Sequence, residues 1–504
     1  MFRVLFSFVL APALFAAAPV EADYYKITTF ETPKETALEV GSIELLPEGK
    51  LAIGTRRGEI WIVNGAGSSD SSAVSYQLFA SGLHEVLGLA YHPRDKNLYA
   101  TTRYEITRLK DSDGDGRADV FENVNDGWGV SGDYHEYAIG SRFDRKGDLW
   151  VTLCLTGSFN SQVPFRGWAL RITPEGKMVP ACSGIRSPGG IGFDAEGEAY
   201  YCDNQGPWHG SCTLQHLVPG SFQGHPGGNI WYDLAPNMGS RPIDPIPEAF
   251  QGDRGRKEAR QGGDPDRMVA ERSRIKQLLP PAVYLVHGKV GNSASAIICD
   301  TSGGKFGPFA KQLFIADQSH SNLSRVFLET VKGIKQGAVI PFRKGFASGL
   351  IGGRMDEEGR VFVGGSDRGW GARGGKPFCF EKCEWTGRTP FEIHEMRAKS
   401  DGFELTFTQP VSPTAAGDVK SYSMREFTYA YREQYGGDEI DEVTPKITAA
   451  RVAADGKSVH LTVSPLTQGH IHELHLDGVK SQEGIALLHN VAWYTLNEIP
   501  AESH

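Results

Sequence analysis

Short runs of alternating apolar and polar residues recur along the chain, each divided by a turn. They read "ELLPEGKLAIGTRRGEIWIV" from Glu44, "LAYHPRDKNLYATTRYEITRL" from Leu89, "SRFDRKGDLWVTLCL" from Ser141, "IGFDAEGEAYYCDNQG" from Ile191 and "GRMDEEGRVFVGGSDRG" from Gly353. Period-two alternation is a strand signal, and a Gly or Asn between two such runs marks a hairpin. The turn residues Gly49, Asn97, Gly147 and Gly197 lie about fifty apart, and Gly359 marks a later unit. One more unit, "AIICDTSGGKFGPFAKQLFIADQSHSNLSRVFLE", starts at Ala296. Six units of this length, each a four-stranded sheet, predict an all-β six-bladed β-propeller over residues 23–388. Two stacked β-sandwiches are the alternative, but sandwiches do not repeat one turn signature six times.

Between Gly197 and Gly359 the chain is too long for one unit, and the excess is an insertion over about 220–287 rich in Pro, Gly and Arg. It holds one amphipathic segment, "DPDRMVAERSRIKQLL", with Asp264 placed to cap a helix and Pro265 at its first position. Near Thr389 the fifty-residue period stops. Alternating strands with turn signals every ten residues or so then predict an immunoglobulin-like β-sandwich over 389–504, with the charged "YREQYGGDEIDEV" (431–443) as its longest loop.

Composition adds three constraints. The 61 glycines and 28 prolines suit a chain of many turns, and 40% hydrophobic with 22% charged residues is ordinary for a globular protein. A net charge of −9 without long runs excludes the basic footprint that nucleic acid requires. The N-terminus "MFRVLFSFVLAPALFAAAPVEAD" has one basic residue, a short apolar run and small residues before Ala22. It reads as a secretory signal peptide over 1–22, and the protein is expected to be exported, periplasmic or extracellular, without an integral membrane segment after cleavage. In that setting seven cysteines allow up to three disulfides, Cys202 with Cys212 and Cys379 with Cys383 being the close pairs in sequence, though spacing assigns no partners.

Among candidate sites, "DSDGDGRADVFE" (111–122) fills every position of a calcium loop. Asp111, Asp113 and Asp115 take positions 1, 3 and 5, Gly116 the sharp turn, Arg117 offers a carbonyl, and Asp119 and Glu122 complete the set. No EF-hand helices flank it, so the ion is expected to be structural, joining the end of the second blade to the chain entering the third. Downstream, "GDYHEYAIG" places Asp133 and His135 just before the third blade's first strand, where propeller loops reach the central channel. Trp208 and His209 in "GPWHG" are placed either to stack on a sugar or to pack, with His225 a weaker candidate. His470 and His472 share one strand face, as a metal pair would, but a plain strand surface is the better reading. No nucleophile elbow, zincin helix or phosphate loop occurs.

Two stretches, "HEYAIGSRFDRKGDLWVT" from His135 and "GIRSPGGIGFDAEGEAYYCDNQGPWHGSCTLQHLVPGSFQGHP" from Gly184, resemble the glucose/sorbosone dehydrogenase family. Those are six-bladed propellers that oxidise sugars with pyrroloquinoline quinone (PQQ). The likeness is greater to the exported dehydrogenase-like proteins of planctomycetes and their relatives, as "GKPFCFEKCEWTGRTPFEIHEMRAKSDGFELTFTQPV" also suggests. The resemblance implies that His135 is the catalytic base, assisted by Asp133, and that Arg186, Ser187 and Gln205 lie near the cofactor. It implies a carbohydrate substrate, and a separate c-type cytochrome as acceptor, since no C-x-x-C-H occurs here. Ser187 stands where the family has asparagine. The last blade holds only Arg354 where the family clusters arginines for the quinone's carboxylates, with Lys311, Arg325 and Arg343 as substitutes. Two other functions stay open: a calcium-stabilised propeller that binds glycans or a partner enzyme without catalysis, and a cofactor-free carbohydrate lyase or hydrolase.

Overall fold

The computed structural model describes residues 19–245 and 267–502. Within them the protein is all-β apart from short helical turns, and most sheets have four antiparallel strands. Five sheets are built by consecutive hairpins whose first strands are Val40–Leu45, Gly88–His92, Ala138–Phe143, Pro188–Phe193 and Ala294–Cys299. A sixth begins at Gly352–Met355, and its outer strand is the N-terminal Tyr25–Thr29, paired from Tyr25 with Trp385 to Thr29 with Glu381. Each first strand packs against the first strand of the next sheet, and the sixth against the first. This cyclic order is consistent with a propeller, closed by joining the N-terminal strand to the last sheet.

Glycine makes the centre of the ring narrow. A Cβ at Gly88 would lie 1.8 Å from the Gly140 carbonyl oxygen, and one at Gly190 would lie 2.2 Å from that of Ser295. Only glycine lets these backbones approach so closely. Apolar side chains of neighbouring sheets fill the wedges between them, as Ile53 and Trp61 of the first sheet do against Phe362 and Phe380 of the sixth. The turn glycines Gly49, Gly147, Gly197 and Gly359 all have φ between 70° and 90°, as the pattern requires. In the second unit Lys96, at φ 59°, takes the left-handed position rather than Asn97.

The insertion separates the third strand of the fourth sheet (Cys212–His216) from its fourth (Val283–Leu285). Its helix spans Met268–Arg274 with Arg267 at the N-cap; the expected capping residues Asp264 and Pro265 lie outside the described residues.

After Trp385 come eight strands: Ile393–Lys399, Gly402–Phe407, Ser423–Tyr429, Glu439–Val443, Lys446–Val452, Ser458–Ser464, His470–His475 and Val491–Leu496. Numbered in chain order, they form one sheet 1-2-6-5 and another 4-3-7-8, packed on a common core that includes Phe403, Leu461, Leu474 and Tyr494. The second sheet does not stop there. Val491–Leu496 also pairs with Ile334–Lys344 of the fifth ring sheet, Gly337 opposite Thr495 and Val339 opposite Trp493, giving one continuous eight-stranded sheet. The C-terminal unit is thus joined to the ring by backbone hydrogen bonds, not by a linker alone.

The two chain ends meet as well. Glu21, which lies inside the expected signal segment, is 3.1 Å from His489 and accepts the Lys344 backbone N–H at 2.8 Å. Burial works against a charge on His489, but Glu392 and Glu21 outweigh it and raise its pKa to about 9. All seven cysteines are free, six of them buried. Cys379 and Cys383 lie on one strand, Phe378–Trp385, four residues or about 13 Å apart, far beyond disulfide reach. His472 is fully buried, 2.8 Å from Glu426, so its strand face is interior rather than surface. No described helix is long and apolar enough to cross a membrane.

Candidate functional site

Strand direction alternates within each sheet, so the segments entering the first strands and those joining second to third strands gather at one end of the ring. They surround a cavity of about 330 Å³ at the channel mouth. His135 and Tyr137 enter from before the third sheet, Arg186, Ser187 and Pro188 from before the fourth, and Asn292–Ser295 from before the fifth. Its floor is a collar that includes Leu87, Ile139, Gly189 and Ile351.

His135 is half-buried, its ring centroid 5.3 Å from Tyr134, 5.9 Å from Trp370 and 6.4 Å from Tyr137. One oxygen of Asp133 accepts the backbone N–H of His135 and that of Gly157, each at 2.8 Å. Those two bonds hold the Asp133 carboxyl below its usual range against the effect of partial burial. Burial lowers the His135 pKa, Asp133 opposes this, and the cations Arg186 and Arg103 push it down again, so the net shift is below the ordinary imidazole value. The loop itself is gripped by Arg103, whose guanidinium donates to the carbonyls of Asp133 (2.8 Å) and Tyr134. Glu85 orients that guanidinium, accepting from Arg103 at 2.8 Å and from Arg56 at 3.1 Å.

Arg186 is 4% exposed. Its backbone N–H and that of Ser187 donate to the two oxygens of the fully buried Asp203, at 2.9 and 2.8 Å, which fixes the turn. Its side chain donates to the carbonyls of Asn204 and Gln205 and lies 5.1 Å from the ring centre of Tyr435. Gln205 lines the mouth and donates to the Gly210 carbonyl. Tyr435 belongs to the charged loop of the C-terminal unit, which folds over the ring: Gly436 N–H donates to Gly206 O at 3.1 Å, and Trp208 N–H to Arg432 O at 2.8 Å.

The structure thus brings together His135, Asp133, Arg186, Ser187 and Gln205. It does not bring in Trp208 and His209, which are 6% and 4% exposed; Trp208 packs on Tyr431 and His209 lies 3.6 Å from Asp203. They support the loop rather than face a ligand, and His225 is likewise buried, its Nδ1 accepting the Gly227 N–H. Arg354 is paired with Glu44 farther down the channel, outside the mouth. Arg325 is buried against Phe309, Arg343 holds the N-terminal strand at the Tyr25 carbonyl, and Lys311 is exposed; none lines the cavity.

The residues that complete the mouth are different ones. Arg56 lines it, and among the described residues no Asp or Glu does. Arg56 and Arg186 each have a buried Nε without a partner. Phe159, Trp370 and Tyr435 line the rim at 52%, 43% and 63% exposure, with Tyr134 beside them at 45%. Two cations and no carboxylate fit the polyanionic quinone that the sequence resemblance implies. The exposed rings offer flat apolar faces of the kind that pack on sugars. The one local signal for these residues was an aromatic or arginine flanked by glycine, as in "RGWG".

The acidic loop lies elsewhere. It joins the third strand of the second sheet (Ile106–Lys110) to the fourth (Val120–Asn125), at the ring face opposite the mouth. It therefore stays within one blade and does not lead into the His135 loop. Carboxylate oxygens of Asp111, Asp113 and Asp115 lie within 4.8 Å of one another. Gly114 and Gly116, at φ 80° and 86°, give the sharp turn, and both donate to Asp111. Three clustered, mostly exposed carboxylates suit a hard divalent cation. Asp119 instead accepts from Ser112, and Glu122 lies on the strand, paired with Arg108 and Lys110. Gln77 of the first sheet donates to the Gly116 carbonyl at 3.2 Å, tying the loop to its neighbour.

A family model described as a domain of unknown function, DUF7133, matches residues 55–231. No curated protein matches the chain. Among solved structures, the protein is similar to an oxidoreductase described as a glucose dehydrogenase from Thermus thermophilus, with 18% identity, covering 71% of this chain and 99% of that one at a TM-score of 0.49. It is similar to the PQQ-bound aldose sugar dehydrogenase of Streptomyces coelicolor, with 16% identity over 73% of this chain and 100% of that one, TM-score 0.48. It is also similar to a Trichoderma reesei carbohydrate-active enzyme of family AA12 in its calcium structure, with 12% identity over 74% and 99%, TM-score 0.49.

Proposed function

We propose that this protein is an exported carbohydrate oxidoreductase that oxidises a sugar at the channel mouth, with PQQ as cofactor and a separate protein such as a c-type cytochrome as electron acceptor. One observation carries the reading: a half-buried histidine with a lowered pKa stands beside two arginines in a mouth where no described carboxylate lines the wall. When bound, the quinone supplies a two-electron acceptor; Arg56 and Arg186 are the residues that would hold its carboxylates. His135, neutral at working pH, takes the proton of the sugar hydroxyl being oxidised. Asp133 stabilises the imidazolium that results, and Arg103 and Glu85 keep the loop in place. Phe159, Trp370 and Tyr435 exclude water over the ring of the sugar.

In the same reading the ring of sheets is a six-bladed propeller. The last eight strands are an immunoglobulin-like sandwich, supported by their two sheet orders, which match A-B-E-D and C′-C-F-G. Asp111, Asp113 and Asp115 hold a structural calcium. An exported chain that keeps the clasp between Glu21 and His489 begins before Glu21, earlier than a cut after Ala22 would give. The exposed aromatic rim favours one second reading, a glycan-binding protein without turnover.

The test is a titration of the calcium-loaded protein with PQQ, followed by dye reduction across a panel of neutral and acidic sugars. Saturable binding with sugar-dependent reduction supports the oxidoreductase. Absence of PQQ binding at tens of micromolar overturns it, and sugar binding in that case leaves the glycan-binding reading.

A further inference from the structure

Below the apolar collar the channel narrows to a second cavity of about 30 Å³, lined by Arg142 and by backbone of the first strands, Gly41, Gly140, Gly190 and Gly352 among them. That volume holds one or two waters or a monatomic ion. Arg142 alone of the charged side chains lines it, and a single carboxylate, Glu44, stands behind it between Arg142 and a second arginine, Arg354. Arg142 is 9% exposed and lies 3.9 Å from Glu44 Oε2, and Arg354 bonds that same oxygen. Arg142 Nη1 also donates to the carbonyls of Leu89 (3.2 Å) and Ser141 (3.0 Å). The Nε of each arginine is buried without a partner. The cluster therefore carries one more positive than negative charge in a confined place, with two N–H donors to spare. Burial, together with the neighbouring Arg354, pushes the Arg142 guanidinium down to about 9, with Glu44 opposing.

We propose that this cavity is a binding site for a small monovalent anion, chloride in the first instance, held inside the propeller channel by Arg142 with the charge of Arg354 behind it. The ion offsets the excess charge and accepts from Arg142, so it holds the third sheet beside the pair that Glu44 of the first makes with Arg354 of the sixth. Buried charge without a partner is costly, and a cavity this small admits a halide but not a carboxylate-bearing sugar or quinone. The site is separate from the mouth and does not depend on the function proposed there.

The test uses the full chain in thermal unfolding at constant ionic strength, with chloride exchanged for isethionate, which is too large for the cavity. Chloride should raise the melting temperature along a saturable curve that isethionate does not reproduce. Crystals soaked in bromide should show anomalous scattering beside Arg142. Arg142→Gln is liable to misfold, so the decisive variants are at its neighbours. Glu44→Gln keeps an acceptor for Arg354 but removes the competing charge, and should tighten the apparent halide affinity by about fivefold or more; Arg354→Gln should weaken it by about tenfold. A chloride curve that superimposes on the isethionate curve overturns the proposal. So does a halide response that Glu44→Gln leaves unchanged, because it would place the ion at the mouth arginines or on the surface.

Discussion

The two faces of the ring are built in opposite ways. On one face, the loop Asp111–Glu122 gathers three carboxylates from within five residues, and its turn glycines and backbone N–H bonds do the folding locally. On the other, the mouth draws Arg56, His135, Arg186, Trp370 and Tyr435 from four sheets and a second unit, over nearly four hundred positions. A local site costs little chain entropy to assemble and can be lost without disturbing distant groups. A mouth made from many loops exists only when the whole ring has closed.

That contrast is sharpest for His135. His135→Ala should lower turnover by about 10²–10⁴-fold while the melting temperature stays within a degree or two, because the ring is half-buried and its side chain supports no strand. A large fall in melting temperature with it would mean the residue is structural. Arg186→Met should weaken PQQ binding by about thirtyfold or more, with Arg186→Lys intermediate, since a point charge replaces the planar fork. Equal binding by all three proteins would remove Arg186 from the cofactor site.

Removing the ion tests the far face. Chelation with EDTA, or Asp111→Ala, should lower the melting temperature by a few degrees and leave PQQ binding at the mouth unchanged. Loss of both together would show that the faces are coupled. The smallest effect concerns pH. In the proposed reaction His135 is a base when neutral, and its pKa lies below the ordinary 6.5, so the acid limb of the activity profile should have its midpoint below pH 6.5. Asp133 opposes that lowering, so Asp133→Asn should move the midpoint further down; an unchanged midpoint would show that Asp133 acts through the backbone of the loop alone.

What could be read beforehand divides along the same line. The hairpins, their turn glycines and the acidic loop were visible because each is a pattern within a dozen neighbouring residues. His135 stood out because it precedes a strand that repeats, Arg186, Ser187 and Gln205 only through the family resemblance of their segments, and the structure brings all four to the mouth. Arg56 was missed because it stands at a second-strand terminus where a neighbouring glycine is its one local mark, and Tyr435 because its loop belongs to another unit. Trp208 and His209 were misplaced for the converse reason. They sit on the right connection, but the loop that covers them arrives from two hundred residues away.

The free cysteines and the buried His472 make the same point, since spacing along a strand says which face a residue takes but not what packs on that face. The amino-acid sequence by itself determined the strands, the repeat and the turn that gathers three aspartates, because period-two patterning and left-handed glycines act over a few bonds. Only the tertiary structure decided which cations face the channel and which are neutralised. It also decided that the C-terminal unit shares a sheet with the ring and overhangs its mouth. Those outcomes depend on burial and on partners distant in sequence, which exist only after the ring closes.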